Sequence, residues 1–173
     1  MSVREIWIPA SLGIGSNQDG PVEQVRDALR VLAALAKTRL IHVSSFYRNP
    51  PMGPVEQPDY VNAVAMVLTQ LPANELLARL QALELEQGRD RATGPRWGPR
   101  CIDLDILTYG NQQIQSPELV IPHPGISVRN FVLLPLFEIC PHLSIPGQGL
   151  VSQLIAGIDV TTLEKIPEPI HAE

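Results

Sequence analysis

Arg96-Trp97-Gly98-Pro99-Arg100-Cys101-Ile102-Asp103-Leu104-Asp105-Ile106-Leu107 joins two segments with opposite demands. Ile102, Leu104 and Ile106 alternate with Asp103 and Asp105, which is the period of a strand with one apolar and one polar face. The residues before them carry Gly94, Pro95, Gly98 and Pro99, so neither a helix nor a ladder continues through them. Two carboxylates therefore leave the same face of one strand, with bases roughly 7 Å apart, directly after a loop that holds two arginines and a tryptophan.

The order of the flanking elements sets the fold. Upstream, Leu76, Leu77, Leu80, Leu83 and Gln87 repeat at helical spacing and stop at Gly88, with Gln81 and Glu84 on a neighbouring face. Ile41 to Tyr47 and Val61 to Thr69 are rich in β-branched and apolar residues and read as strands. Between them the four prolines of the Asn49 to Pro58 segment exclude regular pairing. Val22, Val25, Leu29, Leu32 and Ala36 predict a first helix, opened by Pro21. Ile6 to Ile14 is short and contains proline and glycine, so it reads as a first strand and not as a signal peptide. Strand, helix, strand, strand, helix, strand predicts an α/β (α+β) ferredoxin-like split βαβ core, a largely antiparallel sheet flanked by helices. Residues 117–157 add short strands, a segment over Val132 to Ile139 and a small helix near Leu150 to Ala156. The expectation is a single domain over residues 1–173 with a loose tail from about Ile166.

Composition narrows the function classes. The chain has 173 residues, is 45% hydrophobic and carries a formal net charge of −5, so it has no overall positive field for nucleic acid or an anionic membrane. Neither partner is expected. Two cysteines, Cys101 and Cys140, are too few for a zinc cluster or a disulfide framework and fit a reducing cytoplasm.

Chemistry concentrates around the opening stretch. Arg89, Arg91, Arg96 and Arg100 are four of eleven arginines and fall within twelve residues, against two lysines in the whole chain. Planar guanidinium forks suit phosphate oxygens, and paired carboxylates suit magnesium, which shares its coordination with water and substrate phosphates. Together they point to phosphoryl chemistry. Trp97 either closes over a ligand or anchors its loop. His123, held between Pro122 and Pro124, can donate to a phosphate oxygen, and Arg129 and Phe131 follow closely. Tyr60 and Asn62 lie two apart on a strand, giving a stacking surface beside an amide, or else a core tyrosine beside an edge residue. Gly13-Ile14-Gly15-Ser16-Asn17-Gln18 lacks the third glycine of a dinucleotide fingerprint and there is no Walker lysine, so the two glycines are read as the turn before the first helix. A base-stacking module on the same fold is the non-enzymatic rival, but Asp103 and Asp105 on its sheet would repel a phosphate backbone.

Four blocks, SFYRNPPMGPVEQPDYVNA, LELEQGRDR, RWGPRCIDLDIL and IPHPGISVRNFVLLPL, closely resemble the hydroxymethyl-dihydropterin pyrophosphokinases of folate biosynthesis over about Leu12 to Ala156. The resemblance implies a ferredoxin-like α/β enzyme that uses magnesium and ATP, with two metal ions, to pyrophosphorylate the hydroxymethyl group of a reduced pterin and release AMP. It puts the metal pair on Asp103 and Asp105 and catalytic arginines on Arg89 and Arg100. It puts ATP contacts on Gln81, Glu84, Arg91, Arg96, Trp97, His123 and Arg129. The pterin falls to Tyr60, Phe131 and Asn62, with Asn49, Pro51 and Met52 on a loop that offers backbone groups. It also implies a cytoplasmic protein acting as a monomer on small molecules. Asn49 and Cys101 stand where threonine is common, and Gly125 where a larger residue is frequent.

Overall fold

A computed structural model describes residues 5–88 and 101–167. Its central sheet is antiparallel throughout. Strand β1 (Ile8–Ser16) is followed by helix α1 (Pro21–Ala33), β2 (Thr38–Val43), β3 (Tyr47–Asn49), β4 (Tyr60–Thr69), α2 (Ala73–Glu86) and β5 (Asp103–Tyr109). β4 and β1 lie side by side at the centre, β5 pairs with the far side of β1, and β2 and β3 share the far side of β4. This is the predicted split βαβ arrangement. Among the described residues no helix is long and apolar enough to cross a membrane.

Both faces of the sheet are covered. On one, Val25, Ala28 and Leu32 of α1 and Leu76, Leu80 and Leu83 of α2 close over Leu12, Ile14, Ala63, Ala65, Leu104 and Ile106. On the other, Val64 and Leu107 meet Val132, Leu133 and Leu136 of α3 (Asn130–Ile139) and Val151 of α4 (Val151–Leu154). Val64 lies between Ala63 and Ala65 in sequence, so alternation along β4 sends successive side chains into different cores. Strand β5 therefore keeps its polar face only at Asp103 and Asp105. A register shift opposite Ser11 and Leu12 then carries it into a fully covered run from Ile106 to Tyr109.

Three expectations change in the structure. Gly13 and Gly15 are strand residues, paired with Val64 and Asn62 on one side and with Asp105 and Asp103 on the other. The turn before α1 is made by Asp19 (φ 54°) and Gly20 (φ 73°). The segment expected to run from Ile41 to Tyr47 is two strands, because Ser44 pairs with Val64 through its backbone N–H (2.9 Å) and also accepts the Val64 N–H on Oγ (2.9 Å), which displaces the regular ladder. The first helix ends at Ala33, short of Ala36. The C-terminal end is docked as far as Ile166: Glu164 and Lys165 pair with β3, and the Ile166 N–H donates to Phe46 O at 2.8 Å.

Glu138, near the end of α3, ties that helix to the break between β2 and β3. Its Oε1 accepts the Ser45 N–H (2.8 Å) and hydroxyl (2.7 Å), and its Oε2 accepts the hydroxyl of buried Tyr47. Burial pushes the Glu138 carboxyl up, but the hydrogen bonds from Tyr47 and Ser45 outweigh it and hold the group below its ordinary 4.5. Its stabilising share is therefore present above that value and lost as pH falls through the depressed folded one. Glu138→Ala should destabilise the fold by about 1 to 3 kcal/mol, since it strands the Tyr47 hydroxyl, whereas Tyr47→Phe removes donor and need together and should cost less. Denaturant melts of both variants read the difference; equal losses would contradict this account of the anchor.

Candidate active site

The arrangement of β1 between β4 and β5 creates a gap in the sheet's second face. Across the ladder, Asn62, Gly15 and Asp103 form one row, and Val64, Gly13 and Asp105 the next. Neighbouring strands lie about 4.8 Å apart, so Asn62 and Asp103 are separated by roughly 10 Å of bare glycine backbone. A Cβ at Gly15 would come within 2.5 Å of Asn62 Oδ1, so no other residue fits there without moving that amide. The result is a cavity of about 290 Å³ floored by Gly13 and Gly15.

Amides and aromatics line one end. Tyr60 and Asn62 rise from β4, Asn49 from the end of β3, Met52 from the proline-rich loop and Phe131 from α3. Asn62 Nδ2 donates to Asn49 Oδ1 (2.5 Å) and Asn49 Nδ2 to Pro50 O (3.1 Å), so the two buried amides orient each other. Asn17, buried at the end of β1, donates through Nδ2 to Gln57 Oε1 (3.0 Å) and Pro58 O (3.0 Å), and the Tyr60 hydroxyl reaches the same Gln57 oxygen at 3.5 Å. These bonds tie the end of the proline-rich loop to the central strand.

Charges line the other end. Asp103, Asp105, His123 and Arg129 all line the cavity. The His123 N–H donates to Leu107 O (2.9 Å), which docks its loop onto β5. Its Nδ1 accepts the Gly125 N–H (2.9 Å), leaving Nε2 to carry the proton of the neutral ring, 3.9 Å from Asp105 Oδ2. Burial and then the nearby Arg129 charge push the His123 pKa down, while Asp103 pulls it up, and the net direction is down. Near neutral pH the cavity thus holds a neutral N–H donor beside two carboxylates. The Arg129 guanidinium lies 5.9 Å from the centre of the Phe131 ring. No cluster of three or more His, Cys, Asp or Glu side chains suited to a metal occurs among the described residues. Two carboxylates on one rigid strand do suit magnesium, which takes its remaining ligands from water and phosphate.

Of the residues singled out in the sequence, Asn49, Met52, Tyr60, Asn62, Asp103, Asp105, His123, Arg129 and Phe131 line this one cavity. Pro51 stands beside it in the loop without lining it. Gln81 lines a separate groove between α2 and the hairpin of β6 (Ile114–Gln115) and β7 (Val120–Ile121). Glu84 is buried, and its carboxylate accepts the Leu104 N–H at 2.7 Å, holding the outer edge of β5 beside the two aspartates. Arg89, Arg91, Arg96, Trp97 and Arg100 lie outside the described residues. Sequence reasoning did not single out Gly13, Gly15, Asn17 or Gln57 as site residues. The alternation of two glycines in an otherwise apolar strand is the signal that points to the first pair.

Residues 11–141 match the family described as 7,8-dihydro-6-hydroxymethylpterin-pyrophosphokinase (HPPK). A 2-amino-4-hydroxy-6-hydroxymethyldihydropteridine pyrophosphokinase of Haemophilus influenzae is 48% identical over 148 residues, covering 86% of this chain and 91% of its own. The enzyme of the same description from Pseudomonas aeruginosa is 43% identical over 156 residues, covering 90% and 95%. In structure, wild-type Plasmodium falciparum HPPK-DHPS crystallised with pteroate superposes with a TM-score of 0.66 at 14% identity, over 90% of this chain and 43% of that longer one, a likeness of fold. With three quarters of its length inside the family match and with relatives this similar, the chain belongs to the 7,8-dihydro-6-hydroxymethylpterin-pyrophosphokinase family.

Proposed function

We propose that this chain transfers the β,γ-diphosphate of magnesium ATP to the hydroxymethyl oxygen of 6-hydroxymethyl-7,8-dihydropterin and releases AMP, a step of folate biosynthesis. One observation carries the reading beside the family match: a single cavity sets Asn62 and Tyr60 of β4 and the carboxylates of Asp103 and Asp105 on opposite sides of a glycine floor, with His123, Arg129 and Phe131 lining the same cavity. A flat heterocycle with donor and acceptor edges suits the first side, and a phosphate chain suits the second.

In this reading the pterin stacks against Tyr60 and Phe131, and its edge is met by Asn62, Asn49 and the backbone of the Asn49 to Met52 segment. The hydroxymethyl oxygen bonds to the β-phosphorus as the bond from that phosphorus to the oxygen it shares with the α-phosphate breaks. AMP departs with that oxygen and the electron pair, and the hydroxyl proton passes to solvent water. Asp103 and Asp105 would hold the magnesium, two ions in this proposal, whose charge offsets that of the phosphates. The His123 Nε2–H and the Arg129 fork add donors at the charged end. Arg89, Arg91, Arg96, Trp97 and Arg100 complete the nucleotide side, whereas on α2 Gln81 lines a separate groove and Glu84 serves this side only by holding β5 through the Leu104 N–H. Negative charge moves toward the departing AMP in such a transfer, so donors fixed in advance lower the barrier most. The same reading has the chain working as a monomer in the cytoplasm, where Cys101 and Cys140, both free thiols, stay reduced.

Phosphorus NMR of a mixture of protein, ATP, magnesium and the pterin should show AMP and a pterin diphosphate; ADP in place of AMP would mean single phosphoryl transfer and overturn the reading. Asp103→Ala and Asp105→Ala should each lower kcat/KM by about a hundredfold or more while the melting temperature holds, because neither side chain belongs to a core. Near-normal rates at low magnesium would remove them from the metal. Gly15→Ala should weaken pterin binding about tenfold by displacing Asn62 and leave affinity for a non-hydrolysable ATP analogue unchanged. Calorimetry on both ligands checks this, and an unaltered pterin affinity would contradict it.

A further inference from the structure

We infer that Gly125 is the seat of Arg129: the guanidinium reaches its place in the cavity because position 125 has no side chain, which makes Gly125 a positioning residue. The inference rests on the function proposed above. A Cβ at Gly125 would stand 2.5 Å from Arg129 Nε and 2.9 Å from both Cδ and Cζ. Those three atoms are where the arginine stem becomes the guanidinium, so the charged group lies folded back against the glycine.

Backbone conformation does not explain the glycine. Gly125 is absent from the residues with positive φ, so an L side chain is compatible with its backbone. What glycine supplies is space. Its peptide is fixed at both ends, since its N–H donates to His123 Nδ1 (2.9 Å) and its carbonyl accepts the Arg129 N–H (3.1 Å). The turn thus binds the histidine before it and the start of α3 after it, and Gly125 is buried between them. The three atoms nearest to a new Cβ all belong to the far part of the flexible Arg129 side chain. An added methyl therefore leaves the fold in place and moves the guanidinium by roughly an ångström to restore ordinary contact. A displacement of that size at a phosphate site typically costs between about tenfold and a hundredfold in rate.

The test is a double-variant cycle on Gly125→Ala, Arg129→Ala and the pair. Gly125→Ala should lower kcat/KM for ATP about tenfold, with a melting temperature close to that of the parent. In the Arg129→Ala background the same change should cost less than about twofold, because its target is gone. The cycle is repeated on ATP affinity by calorimetry, which needs no turnover. A wild-type protein that makes no AMP would defeat the functional reading, and the calorimetric cycle would still decide the seat. Equal losses from Gly125→Ala with and without Arg129, or no loss in either readout, would overturn the inference.

Discussion

The gap over β1 is the constraint on which the rest of the site depends. A sheet face between two filled strands is normally closed by the side chains of the strand between them. Here Gly13 and Gly15 contribute none, and the row from Asn62 across Gly15 to Asp103 stays open. The cost is a central strand weakened by two glycines. It is offset by antiparallel pairing along both edges of β1 and by Leu12 and Ile14, buried on the opposite face. The same strand thus carries core on one side and the cavity floor on the other.

Rigidity around this gap is unevenly distributed, in a way that suits the chemistry. Strand β5, at the sheet's edge, is fastened three times beside its acids: to β1 through the ladder, to Glu84 through the Leu104 N–H, and to the His123 loop through Leu107 O. Carboxylates proposed to hold magnesium need such fixing, since that ion tolerates little misplacement. At the other end the proline-rich loop is held by side-chain bonds from Asn17 and by the Asn49–Asn62 pair, with no ladder of its own beyond Asn49. Binding groups there answer to a few hydrogen bonds, while the acids answer to a whole sheet.

Much of this was legible in the sequence, and the misses share a cause. Alternation of Ile102, Leu104 and Ile106 with two aspartates placed the acids on a strand face, and the order of periodic segments gave the split βαβ core, because each signal is local. Glycines carry no periodic signal, so Gly13 and Gly15 read equally well as a turn, and only their partners 47 to 51 residues later in β4 and some 90 later in β5 make them a floor. The break at Ser44 to Phe46 likewise depends on Val64 and on Glu138 in a distant helix. Glu84 looks like a polar face of α2; that it turns inward to an edge strand follows from β5 having no strand partner on that side among the described residues. The small helix near Leu150 to Ala156 was legible and is α4, but the Val132 to Ile139 segment did not declare itself a helix because α3 is apolar nearly all round and interrupted by Pro135.

The central claim is that one glycine-floored cavity holds heterocycle and phosphates end to end. A crystal structure of the protein with the pterin, a non-hydrolysable ATP analogue and magnesium tests it most directly. The account predicts the pterin ring over Gly15 with its edge against Asn62, and the phosphate chain above Asp103 and Asp105 with metal between. A pterin bound elsewhere, or phosphates seated away from the two aspartates, would contradict it.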